Sequence, residues 1–145
     1  MKLLIINGPN INLLGVREKH IYGNESYEDL LRFIDEACRK AGVEHECFQS
    51  NHEGDIVDRI GSARADGFAG IVMNPAAYTH TSVAIRDALA AVKLPTVEVH
   101  LSNIHAREEF RHTSLTAPMC IGVVAGFGAG SYLLALRGLI AHLEK

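Results

Sequence analysis

A chain of 145 residues, 48% apolar and 21% charged, is long enough to bury one ordinary core without disulfide or metal staples, and its composition argues against disorder. Its 14 basic and 17 acidic residues are interspersed and sum to −3, which argues against a nucleic-acid or anionic-membrane surface as partner and requires an anionic ligand to meet local positive charge. The three cysteines, Cys38, Cys47 and Cys120, are odd in number and set among apolar residues, which speaks against a disulfide framework; Asn7, Gly8 and Pro9 interrupt the apolar start, and a soluble, unexported, cytoplasmic protein is expected.

In chain order, Lys2 to Ile6 is a short apolar run stopped by Gly8-Pro9-Asn10, the pattern of a buried strand and a turn. Ser26 with Asp29 forms a capping pair, and Leu30, Leu31, Ile34, Cys38 and Ala41 recur at helical spacing until Gly42 ends them. Val43 to Gln49 reads as a second strand, Ile56, Val57, Ile60 and Ala63 as a second helical stripe, and Ala69 to Met73 as a third strand. Thr81 or Ser82 can cap a helix carrying Val83, Ile85, Leu89 and Val92. Pro95 opens a fourth strand, Thr96 to Val99, followed by a short polar helix near Ala106 to Phe110. A fifth strand is expected at about Met119 to Val124, and a last helix from Tyr132 to Leu143. Strand and helix alternate throughout, which predicts a single domain spanning 1–145. Its class is α/β: a flavodoxin-like three-layer sandwich with a five-stranded parallel sheet in the order 2-1-3-4-5.

Ligands of such sheets bind outside the C-terminal ends of the strands. Behind the first strand stand Asn7 to Asn10; behind the second, Ser50 to Glu53; behind the third, Asn74 and Tyr78 to Ser82; behind the fourth, His100 to Asn103. So many amides, hydroxyls and imidazoles on one edge point to a site, although Asn10, Asn74 and Ser82 taken singly read as caps and turns. Gly126 to Gly130 lacks the spacing of a dinucleotide or Walker loop and reads as a tight turn. His100, His105 and His112 with Glu98, Glu108 and Glu109 match no zinc pattern, and Ser82, Ser102 and Ser131 stand in no nucleophile elbow.

Acid and base chemistry remains. The loop from Leu14 to Gly23 is bracketed by Gly15 and Gly23 and carries Arg17 and Tyr22, the make-up of a lid. By itself it is better read as a solvated connection with Tyr22 as a surface anchor. Paired with His100, which lies behind Glu98, it becomes half of an acid–base set. A tyrosine has an ordinary pKa of about 10, so Tyr22 needs a cation such as Arg17 to serve as a base near neutrality.

Four blocks carry a resemblance. They are Ile6-Asn7-Gly8-Pro9-Asn10 through Leu14-Gly15; Arg17-Glu18 with Tyr22-Gly23; Asn74-Pro75-Ala76-Ala77-Tyr78-Thr79-His80-Thr81-Ser82; and Glu98-Val99-His100-Leu101-Ser102-Asn103 on to Arg111. In this order they resemble the type II 3-dehydroquinate dehydratases over nearly the whole chain. Ile11, Ala76 and Thr113 depart from the family's usual leucine, glycine and histidine; Ala76 adds a methyl to a tight turn.

The resemblance implies anti elimination of water from 3-dehydroquinate to 3-dehydroshikimate through an enolate. Tyr22 is then the base, Arg17 its ionising partner, and Asn10 the holder of a water at the enolate oxygen. His100 is the general acid, oriented by Glu98. It also implies that the substrate carboxylate meets the N–H groups of Leu101 and Ser102 and that ring hydroxyls meet Asn74, His80 and Arg111. Asp87 is expected to come from a neighbouring subunit of a homododecamer built as a tetramer of trimers. No metal, cofactor, nucleic acid or membrane is required. The reaction serves the shikimate pathway or, alternatively, quinate catabolism. The rival classes are a flavodoxin-like module that binds a small anion without chemistry and a metal-dependent hydrolase built on the histidines.

Overall fold

The computed structural model describes residues 1–21 and 24–145 and, of Tyr22, the main chain alone. Its strands are Lys2–Asn7 (β1), Glu44–Gln49 (β2), Gly70–Asn74 (β3), Thr96–His100 (β4) and Gly122–Ala125 (β5). They pair in parallel in the order β2-β1-β3-β4-β5, as the alternating pattern predicts. Helices are Lys19–Tyr22 (α1), Tyr27–Ala41 (α2), Glu53–Ser62 (α3), Val83–Val92 (α4) and Gly130–Leu143 (α5).

Successive side chains of a strand point to opposite faces, and β1 divides its apolar residues between two cores for that reason. Leu3 and Ile5 pack with Ile34 and Cys38 of α2 and with Tyr132, Leu136 and Leu139 of α5. Leu4 and Ile6 turn the other way, onto Ile56 and Ile60 of α3 and Ile85 and Leu89 of α4. Both faces of the sheet are therefore buried, and each such side chain contributes roughly 1.5–3 kcal/mol of transfer free energy. The helices dock where their termini allow. Ser26 Oγ accepts from the Asp29 N–H at 3.1 Å while Asp29 Oδ2 accepts from the Ser26 N–H at 3.0 Å, and Gly42 ends α2 at φ 70°. Ser82 rather than Thr81 caps α4, accepting from the Ile85 N–H at 2.9 Å.

Three stretches differ from expectation. The polar helix near 106–110 is instead two single turns, Ile104–Ala106 and Glu109–His112. Arg107 stands extended between them at φ −112°, ψ −161°, which ends the first turn. β5 begins at Gly122 rather than Met119 because Pro118, which has no N–H for a ladder, lies in a turn over Ala117–Met119. A further turn, Ala76–His80, fills the loop behind β3.

That loop is tight. Gly8 donates its N–H to Asn74 O at 2.8 Å, and a Cβ on Gly8 would stand 2.6 Å from Pro75 O, so only glycine fits there. Ala76 sits at φ 52°, in the left-handed region that its methyl disfavours. Ala76→Gly should therefore raise the unfolding free energy by about 1 kcal/mol, read as a higher urea midpoint at unchanged slope; a lower midpoint would show that the turn carries no such strain.

Candidate active site

The parallel register brings Asn7 of β1 beside Gln49 of β2 and Asn74 of β3, and His100 of β4 beside Ala125 of β5, so that polar strand ends share one rim. Above the rim lies a cleft of about 180 Å³ walled by Arg17, His80, His100, Arg107 and Arg111. Asn10, Asn74, Leu101 and Ser102 line it as well. The chain's −3 charge is thus locally reversed by three guanidinium groups at one opening.

His100 is buried, and its Nε2 lies 3.0 Å from Oε2 of Glu98, whose side chain is 0% exposed. A carboxylate only accepts, so Nε2 carries the hydrogen and Nδ1 is left for the cleft. Ser114 Oγ donates to both carboxylate oxygens at 3.1 Å, and Thr116 Oγ1 donates to Oε1. Burial by itself would push the Glu98 carboxyl up. The hydrogen bonds from His100, Thr116 and Ser114 outweigh it and hold the carboxyl below its ordinary value, so Glu98 is an anion fixed behind the imidazole.

His80 is wired the opposite way. Its Nδ1 lies 2.8 Å from the Thr113 carbonyl oxygen, to which it must donate, leaving Nε2 as the acceptor. Burial lowers its pKa, and His100 and Arg111 nearby lower it further against the pull of Thr113, which favours the neutral ring. Asn74 is held from below: its Nδ2 donates to Tyr132 Oη at 3.0 Å, and its Oδ1 accepts from the Ala76 N–H at 3.1 Å. Tyr132 in turn donates to Asn7 Oδ1 at 2.6 Å, and burial pushes its phenol far above the usual range, so it stays a donor.

Asn10 adopts φ 67°, donates its N–H to Asn51 Oδ1 at 3.0 Å, and is exposed at the rim, where it lines the cleft. The segment behind it carries Arg17 into the cleft wall, and Glu18, at φ 34°, pairs with Arg107 at 3.7 Å. Tyr22 closes α1, but its side chain and Gly23 lie outside the described residues. Asp87 is exposed on α4 and does not line its own chain's cleft. Arg111 lies at the cleft with its Nε bonded to Glu108.

The sequence placed Asn51 on the rim and Arg107 in the last motif block without giving either a role, and gave no sign of Ser114, Thr116 or Tyr132 as site residues. Arg107 lies seven residues past His100 in a polar run and was legible as a charge near the rim; the others support the site through contacts that no local pattern signals. A larger cavity of about 390 Å³ lies between α2 and α5, but its Lys40 and Glu36 are closed on each other at 2.9 Å and it contains no histidine. Among the described residues, no three His, Cys, Asp or Glu side chains converge as metal ligands, and no helix is long and apolar enough to cross a membrane. Cys47 and Cys120 are pushed up to about 12 by burial and Cys38 to about 11, which keeps all three as thiols.

The fold is a flavodoxin-like α/β sheet whose rim gathers two oppositely wired imidazoles, a buried carboxylate and converging arginines, the groups that an α/β enzyme carries at its strand ends. Residues 1–140 match the family model for dehydroquinase class II. A 3-dehydroquinate dehydratase of Caldicellulosiruptor bescii is 58% identical over 143 residues, 99% of each chain. One from Clostridium perfringens is 54% identical over 145 residues, 100% of this chain and 99% of its own. The crystal structure of the type II dehydroquinase from Butyrivibrio crossotus is 55% identical, with a TM-score of 0.95 over 97% of both chains. The chain belongs to the class II dehydroquinase family and is a hydro-lyase.

Tyr132→Phe leaves Asn7 Oδ1 and Asn74 Nδ2 without their shared hydroxyl, and should cost about 1–3 kcal/mol in denaturant unfolding; an unchanged midpoint would mean that the network carries no stability. Glu98 has a depressed folded pKa, so its contribution to stability is present above the ordinary glutamate value of 4.5 and is lost as pH falls through the lower folded value. Glu98→Gln should remove that part of the acid-side decline, visible as a flatter dependence of the unfolding midpoint on pH below about 4.5.

Proposed function

We propose that this chain removes water from 3-dehydroquinate to give 3-dehydroshikimate, by proton abstraction beside the ketone and protonation of the departing hydroxyl. The observation that carries the acid half is the His100–Glu98 pair: a buried carboxylate fixes the ring through Nε2 at 3.0 Å, and His100 lines an arginine-walled cleft. Nδ1–H is the proton given to the leaving hydroxyl. Tyr22 is the base, with Arg17 in the cleft wall favouring its phenolate and the charge that develops on the enolate. Asn10 positions the water that donates to the enolate oxygen, a role that its exposure in the cleft lining supports.

The N–H groups of Leu101 and Ser102, at the end of β4, receive the substrate carboxylate, with the arginines of the cleft supplying the surrounding field. His80, neutral with Nε2 as acceptor, takes a ring hydroxyl, as do Asn74 and Arg111. Asp87 acts on the site of a neighbouring subunit, for which its exposure on α4 leaves it available. The working assembly is then a homo-oligomer, a tetramer of trimers. The reaction serves the shikimate pathway in the cytoplasm. The scheme uses no metal, cofactor or imine; among the described residues lining the cleft there is no lysine.

The test mixes purified protein with 3-dehydroquinate and a chelator and follows the ultraviolet absorbance of the conjugated enone product. A rise supports the dehydratase. A flat trace from a folded, assembled sample would return a binding role without chemistry to first place, and activity that vanishes with chelator would restore the metal-dependent reading. In the same assay Tyr22→Phe should lower kcat by at least about 10²-fold with folding intact, and substantial residual turnover would remove Tyr22 as base.

A further inference from the structure

The dehydratase scheme gives roles to two imidazoles, and a single four-residue segment outside the cleft touches both of their supports. Thr113 O receives Nδ1–H of His80 at 2.8 Å. Ser114 Oγ and Thr116 Oγ1 donate to Glu98, which receives Nε2–H of His100. The segment is itself clamped: Leu115 donates its N–H to Thr79 O at 2.8 Å, and Arg86 of α4 donates to Leu115 O at 3.0 Å. Ser114 Oγ also accepts from the Ala117 N–H at 2.9 Å, which points its single proton toward the carboxylate.

We propose that Ser114 and Thr116 are positioning residues of this enzyme: from the segment 113–116 they keep Glu98 ionised and oriented, and with the Thr113 carbonyl they set which nitrogen of His100 and of His80 faces the substrate. The kinetic consequence rests on the dehydratase reading, whereas the geometry stands without it.

The two oxygens of Glu98 are held differently. Oε2 receives His100, Oε1 receives Thr116, and the Ser114 hydroxyl lies 3.1 Å from both. A buried carboxylate oxygen deprived of its donors carries the full cost of desolvation, and the group relieves that cost by taking up a proton or rotating away. A protonated or rotated Glu98 no longer holds His100 through Nε2 in the orientation from which it delivers its proton. The titratable groups around Glu98 are His100 on its own strand, His80 from the turn behind β3, Cys120 before β5, and His105 and His112, which share the hollow on its outer side. Among the described residues only His100, Ser114 and Thr116 donate side-chain hydrogen bonds to the carboxylate. The Cys120 thiol donates to Thr116 O and not to the carboxylate, so besides His100 the two hydroxyls are the donors that keep the charge in place.

Thr116→Val keeps the shape and deletes the hydroxyl. Loss of that donor raises the pH at which Glu98 takes up its proton. The acid limb of the kcat–pH profile should therefore move to higher pH by about one unit, and at neutral pH, where Glu98 is still ionised, the looser hold on its orientation should lower kcat on the order of tenfold with KM little changed. Thr116→Ser should restore both, and Ser114→Ala should move the limb in the same direction, giving a second test if the valine variant folds poorly. Nitrogen NMR of labelled histidine reads the same arrangement without substrate. At a pH where both rings are neutral, wild type should show His100 as the Nε2–H and His80 as the Nδ1–H tautomer, and Thr116→Val should mix the His100 tautomers while leaving His80 unchanged. An acid limb and His100 resonances at wild-type positions in the valine and alanine variants would overturn the proposal, as would a serine variant no better than valine. Wild type that fails to turn over 3-dehydroquinate would instead sink the functional reading, and the NMR result would still decide the positioning role.

Discussion

The buried carboxylate of Glu98 is the constraint around which the rest of the rim is arranged. An anion with no exposed surface is tolerated only when its lone pairs are taken, and here an imidazole takes one oxygen, Thr116 the other, and the Ser114 hydroxyl is shared between them. Each partner is thereby fixed in turn. The imidazole acquires a defined tautomer, and the segment that supplies the hydroxyls must pass close to β4. Passing there brings the Thr113 carbonyl against His80. Removing the charge would release the imidazole and remove the reason for that segment to lie where it does.

A second polar knot acts in a comparable way at the ends of the neighbouring strands. Asn7 and Asn74 stand side by side at the ends of β1 and β3, and the Tyr132 hydroxyl ties them together from α5. In a sheet covered on both faces, the apolar residues of either face are interchangeable in kind, so hydrophobic burial alone specifies strand register weakly. Polar groups that meet only in one register add the missing specificity. The close approach of Gly8 to Pro75 has the same effect, because a neighbouring register would place a side chain where only hydrogen fits.

Much of the fold was legible because its signals are local. Alternating apolar runs and helical stripes, Ser26 with Asp29, Gly42 and Pro95 all act within a few residues of themselves, and each element they predict is present. The departures arise where local pattern meets tertiary demand. Arg107 is extended inside a helix-like polar run, where it reaches both the cleft and Glu18, and Pro118 delays β5. The left-handed turn at Ala76 was anticipated only as a misfit of residue type.

By itself the sequence determined the layered α/β architecture, the polar rim, and the set of residues that marks the family, because these depend on periodicity and on residue types at the ends of strands. Tertiary structure alone decided how those residues are supported. Ser114 and Thr116 reach Glu98 across 16 and 18 residues, Tyr132 reaches Asn74 across 58 and Asn7 across 125. A hydroxyl so far along the chain carries no mark of its partner; only the crossing of α5 and of the segment 113–116 over the sheet brings donor and acceptor together, and burial then gives the contact its strength.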